Sequence, residues 1–149
     1  MIGARFWVYC RRPGKALLMS PHDQRGWKPG VDEVDGRPWL PIDMESRSGI
    51  YAAKDMQHLQ LALMTPEARD CMRKIWWESP LHEYGPQALV FGQVRMWGKV
   101  IEHEHGFRAE NARICSLDWI SHGPKFMTLL SGGPDLEILR LMYGVACVQ

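Results

Sequence analysis

The sequence predicts a single α+β domain spanning residues 1–149, with a curved antiparallel sheet or small β-barrel and about three packed helices. Three observations predict it. A chain of 149 residues is the size of one domain and can bury a sizeable core. Its longest patterned stretch, Ala88 to Leu117, alternates with the two-residue period of a strand. Three other stretches carry helix-start residues followed by apolar residues at three- and four-residue spacing.

Taken in order, Arg5 to Cys10 is aromatic and β-branched, Arg12-Pro13-Gly14-Lys15 is turn chemistry, and Ala16 to Met19 returns as a second strand. Pro21 to Arg47 is full of chain breakers and holds Trp27 and Trp39. Such a loop reads as a packed cover over a core, because the rings need burial. Ile50 to Ala52 reads as a short strand. Asp55 is then a helix N-cap, with Leu59, Ala62 and Leu63 on one face. Thr65-Pro66-Glu67 starts a second helix, whose apolar positions are Ala68, Cys71, Met72, Ile75 and Trp76. In the central stretch, Gly92 and Gly98 interrupt a long strand and predict a bulge or bend. Gly106 is the natural turn residue, Phe107 to Cys115 returns, and Leu117 to Leu130 reads as irregular. Gly133-Pro134-Asp135 opens the last helix and Gly144 closes it.

Composition excludes more than it identifies. A formal net charge of +1 gives no global case for nucleic acid, though a local basic patch stays open. No apolar run reaches ~18 residues, so no membrane span is read. The N-terminus lacks the apolar core and cleavage pattern of a signal peptide, so the cytoplasm is the expected compartment. The four cysteines, Cys10, Cys71, Cys115 and Cys147, are widely spaced and expected to be reduced. The seven tryptophans are many for this length and point to a dense core or a recognition surface.

The chemically richest segment is Met96 to Ile114, where Glu102, His103, Glu104 and His105 precede Gly106, Arg108 and Glu110. With a turn at His105-Gly106, His103 would face Arg108 and Ile101 would face Glu110. Trp97, Lys99, Ile101 and His103 would then share a face with Arg108, Glu110, Ala112 and Ile114. A one-residue change in loop length would reverse one strand's faces. Three chemistries compete here. His103-x-His105 with Glu110 partly resembles a cupin-type metal set, although no second histidine motif follows. His103 beside a carboxylate could serve as an acid–base group. The plainest reading is a solvated hairpin end with ion pairs worth less than ~1 kcal/mol each. No phosphate loop, dinucleotide fingerprint, nucleophile elbow or zinc-protease motif is present.

The segments RFWVYCRRPGKALLMSP, WKPG at Trp27 to Gly30, SGIYAAKD, GQVRMWGKVIEHEHGFRAENA and LMYGV occur in this order. In this the chain resembles a group of small uncharacterised proteins of bacterial and phage genomes. The resemblance covers most of the chain and implies no particular activity. The group's pattern has a cysteine- and histidine-containing stretch before C-G-I-Y-A. Here Ser48 stands at the cysteine position, which implies that any zinc held there in the group is lost. Trp39, Leu40 and Ile42 would fill that space.

The expectation is a non-enzymatic binding module with no cofactor and no bound metal. Its ligand site would be drawn from Tyr51, Trp97, Glu102, His103, Arg108 and Glu110, with nucleotide-like ligands among the candidates. One alternative is a phage or mobile-element protein that blocks a host defence complex through protein contacts. Another is a cupin-like metal enzyme using His103, His105 and Glu110.

Overall fold

The computed structural model describes residues 1–12, 15–19, 26–27, 33–34, 49–66, 70, 86–122 and 129–145. The first hairpin is β1 (Ile2–Arg12) and β2 (Lys15–Met19), joined in register up to Arg12↔Lys15. Its expected turn residues, Pro13 and Gly14, lie outside the described residues. β1 is apolar on both parities because both of its faces are covered. Trp7 and Tyr9 enter the main core, while Ala4 and Val8 enter a second cluster with Phe6 packed against it.

Within the expected Pro21–Arg47 cover, the described pieces are β3 (Gly26–Trp27), paired to β2, and β4 (Glu33–Val34). Trp27 is buried, edge-on to Trp7 at 5.5 Å between ring centroids. Trp39, Leu40, Ile42 and Ser48 lie outside the described residues.

β5 (Ile50–Ala53) leads into α1 (Met56–Leu63). Asp55 caps α1 as expected: its Oδ1 accepts from the His58 backbone N–H at 2.8 Å. Met56, Leu59 and Leu63 turn to the second cluster, whereas Ala62, expected beside them, is exposed. The second expected helix falls mostly outside the described residues. Two helices are delimited among the described residues, and Pro66 and Asp70 of the second expected helix are helical.

β6 (Pro86–Glu102) and β7 (Gly106–His122) make one long hairpin of 17 residues a side. The irregular reading of Leu117 onward is corrected, since β7 runs to His122. Two register shifts hide the strand. The pairs Val94↔Ile114, Gln93↔Ser116, Gly92↔Leu117 and Phe91↔Trp119 leave Cys115 and Asp118 as extra residues. Each shift reverses the alternation, so the apolar period breaks although the strand continues. At Gly92 an added Cβ would stand 2.1 Å from the Ser116 carbonyl oxygen, so only glycine fits there.

Among the described residues, β6 lies between β1 and β7 in an antiparallel sheet of seven strands. β5 pairs with β7 at four positions but with β1 only at Ala4↔Ala53. The sheet is therefore not a barrel, because closure needs a continuous staggered ladder and one pair does not provide it. α2 (Pro134–Tyr143) covers the main core with Leu136, Leu139 and Tyr143. Gly144 ends it at φ +65°, the left-handed cap expected from the sequence. The Tyr143 hydroxyl accepts from Leu18 N–H at 3.1 Å and donates to the Trp27 carbonyl, tying the last helix to the first hairpin. Arg140 reads the β7 irregularity directly. Its Nε donates to the Leu117 carbonyl at 2.8 Å and one terminal nitrogen to the Ser131 carbonyl at 3.1 Å. No helix among the described residues is long and apolar enough to cross a membrane.

Candidate recognition face

The hairpin turn sits one position earlier than the sequence reading placed it. His103 N–H donates to the Gly106 carbonyl at 2.7 Å, and Glu104-His105 form the tip. The ladder then runs Glu102↔Phe107, Ile101↔Arg108 and Val100↔Ala109. Beyond it, Trp97 pairs with Asn111, so Gly98 and Lys99 together oppose the single residue Glu110. Gly98 takes φ +77°, the left-handed geometry of a glycine bulge. The Glu110 carboxylate accepts from the Lys99 backbone N–H at 2.6 Å and satisfies the displaced amide. Glu110, expected as a ligand contact, is the cap of this bulge.

The bulge decides which residues share a face. Phe107 and Ala109 point into the main core, and so do Ala112 and Ile114, so β7 changes phase between them. Ala112 and Ile114 therefore do not share a face with Arg108, contrary to the expectation from uninterrupted pairing. On the face turned away from the main core stand three rows of register partners. Ile2, Arg95 and Arg113 run across β1, β6 and β7. Trp97 and Asn111 follow, and then Ile101, Arg108 and Tyr51 across β6, β7 and β5.

Tyr51, Arg108 and His103 come together. Arg108 is only 2% exposed, although it is charged. Tyr51 lies over its guanidinium at 5.8 Å and is itself 48% exposed. The Arg108 Nε–H donates to His103 Nε2 at 3.0 Å. That nitrogen must then carry its lone pair, which puts the ring proton on Nδ1. Arg5 reaches across from β1 and donates to the Tyr51 carbonyl, fixing β5 beneath the ring.

Trp97 belongs to a second pairing farther along the same face. It is half-buried, and the Arg95 guanidinium lies 5.5 Å from its ring. Glu102 falls on the opposite face with Phe107, and its carboxylate meets Lys54 Nζ at 3.1 Å. The six expected residues thus divide. Tyr51, His103 and Arg108 are one group, Trp97 is its neighbour, Glu110 is structural, and Glu102 lies across the sheet.

The cupin-like set is not assembled. His103 Nε2 is occupied by a cationic donor, Glu110 by a backbone amide, and His105 sits on the tip. No group of three metal-ligating residues is gathered among the described residues. His105 instead lies against α1, with its ring 5.6 Å from that of His58. Lys54 N–H donates to the His105 carbonyl at 3.0 Å. Below this contact, the backbone N–H and then the ring of His58 hold the Asp55 carboxyl under its usual value of 3.8. Cys115, in the β7 irregularity, is exposed. Burial of its sulfur, followed by the nearby Asp118 charge, pushes its thiol up.

Sequence reasoning missed Arg95, Arg113 and Asn111. Arg95 and Trp97 share a parity on β6, which is legible. Arg113 and Asn111 join them only through the bulged register. No family model, curated protein or solved structure matches this chain.

Proposed function

We propose that the chain is a non-enzymatic binding module that takes a planar, negatively charged, nucleotide-like ligand on the outer face of the β5–β7–β6 region. One observation carries this reading: Tyr51 and Trp97, on the same face, each have an arginine guanidinium against the ring, at 5.8 and 5.5 Å. A ring backed by a cation offers a stacking surface inside a positive field. Arg108 supplies its charge from beneath and is already desolvated, so binding need not strip water from it.

The test is a tryptophan-fluorescence titration with adenosine and uridine monophosphates. Stacking on one ring contributes about 1–3 kcal/mol. Trp97→Ala and Tyr51→Ala should therefore each weaken binding roughly 5- to 150-fold while circular dichroism stays native. Undiminished binding in both variants would sink the reading.

A protein-contact role has one observation in its favour. α2 turns Ile138, Leu141 and Met142 outward at 43, 82 and 37% exposure. A pull-down in which Leu141→Glu removes an enriched partner would support it. Equal recovery by both proteins would count against it.

A further inference from the structure

We infer that the ligand of this face is a single-stranded nucleic acid, with Arg95 and Arg113 taking its phosphate and Trp97 stacking on the adjoining base. This rests on the binding-module reading above and adds the substrate class.

The first reason is the arrangement of charge. Arg95 and Arg113 are direct register partners, and both are exposed. Opposed side chains on a ladder have Cβ atoms about 4.5–5.5 Å apart, so the two arginines are rooted side by side, with the Arg95 guanidinium 5.5 Å from the Trp97 ring. One phosphate with its spread oxygens can accept from two guanidinium forks. Lys99, exposed at the bulge, adds a third cation on the far side of Trp97. The chain as a whole has a formal net charge of +1, so this concentration is local.

The second reason is length. Successive rows on one face are separated by about 7 Å, and the bulge adds a further step. From the Arg95–Arg113 row to the Tyr51–Arg108 row the face therefore runs about 15–20 Å. Along it the chemistry repeats: paired cations, a ring with an amide beside it, a lysine, then a second ring over a buried arginine. A mononucleotide has one ring and one phosphate group and covers half of this. A strand of linked nucleotides repeats base and phosphate along its length. A duplex keeps its base faces stacked inside and cannot offer them to Trp97 or Tyr51.

The experiment is fluorescence anisotropy with a labelled octanucleotide of deoxythymidine, against the matching duplex and uridine monophosphate as competitors. The octanucleotide should bind at least ten-fold tighter than the mononucleotide and the duplex. Three exposed cations at ~0.7 per phosphate give a log–log salt slope near −2, or about 15- to 20-fold weaker binding between 50 and 200 mM salt. Arg113→Gln and Lys99→Gln should each flatten that slope by about 0.7. The wild-type slope needs no variant, so a folding defect in either one does not blunt the test. Mononucleotide binding without a tighter or salt-dependent octanucleotide overturns this inference alone. Equal affinity for duplex also overturns it alone. Failure of both single-stranded ligands overturns the binding-module reading with it.

Discussion

Replacing Gly98 by alanine tests the bulge that sets the proposed recognition face. At φ +77° an L-residue is disfavoured by about 1–2 kcal/mol. Alanine also narrows the unfolded ensemble, which offsets about 0.4–1 kcal/mol. The new Cβ would stand 2.8 Å from Asn111 Nδ2, the movable end of a side chain, and 3.2 Å from Glu110 Cβ. Displacing Glu110 would weaken its 2.6 Å bond to the Lys99 amide. The expected net loss is about 1–2 kcal/mol, which at a urea m-value near 2 kcal/mol/M lowers the midpoint by roughly 0.5–1 M with m unchanged. Gly92→Ala is the internal comparison. There the obstacle is a backbone oxygen at 2.1 Å, which cannot swing aside, so the loss should be the larger of the two. The sign decides the matter. If Gly98 had ordinary negative φ, alanine would raise stability by about 0.4–1 kcal/mol. A raised or unchanged midpoint for Gly98→Ala would refute the bulge and, with it, the placing of Trp97 and Arg108 on one face.

Other outcomes follow from the same geometry. Asp55 has a lowered carboxyl, so its contribution to stability is present above 3.8 and is lost as pH falls through the lower folded value. Asp55→Asn should lose less stability than wild type when urea midpoints at pH 5 and pH 3 are compared, and parallel losses would exclude the cap as the cause. At Cys115 burial and Asp118 raise the thiol, so iodoacetamide labelling at pH 7.5, followed by peptide mass spectrometry, should quicken in Asp118→Asn. An unchanged rate would remove the Asp118 charge from the account. Arg140→Met should destabilise by about 1–3 kcal/mol, because the Leu117 and Ser131 carbonyls lose their donor. A thermal midpoint within 1 °C of wild type would show that the Arg140 bonds add nothing to the docking of α2.

The candidate face is only half legible in residue order. Tyr51, His103 and Arg108 could be nominated because an aromatic, an imidazole and a guanidinium near one hairpin suggest a site. Glu110 is a candidate on the same ground, and its carboxylate accepts from the Lys99 amide in the bulge. A carboxylate looks the same in sequence whether it meets a ligand or a backbone amide. Glu102 neighbours His103 in sequence, yet adjacent strand residues point to opposite faces, and it pairs with Lys54 across the sheet.

Local chemistry determined what local chemistry can. Asp55 capped α1, Gly144 stopped the last helix, and Gly98 marked a bulge, each through a conformational preference of one or two residues. The α+β class followed from the same periodicities. Tertiary structure alone decided that β7 continues through two register shifts, that the sheet stays open where β5 meets β1 at one pair, and that Arg95 and Arg113 stand opposite each other. Those outcomes depend on register, the relation between two strands. Every bulge shifts that relation by one residue and so turns the following side chains to the other face.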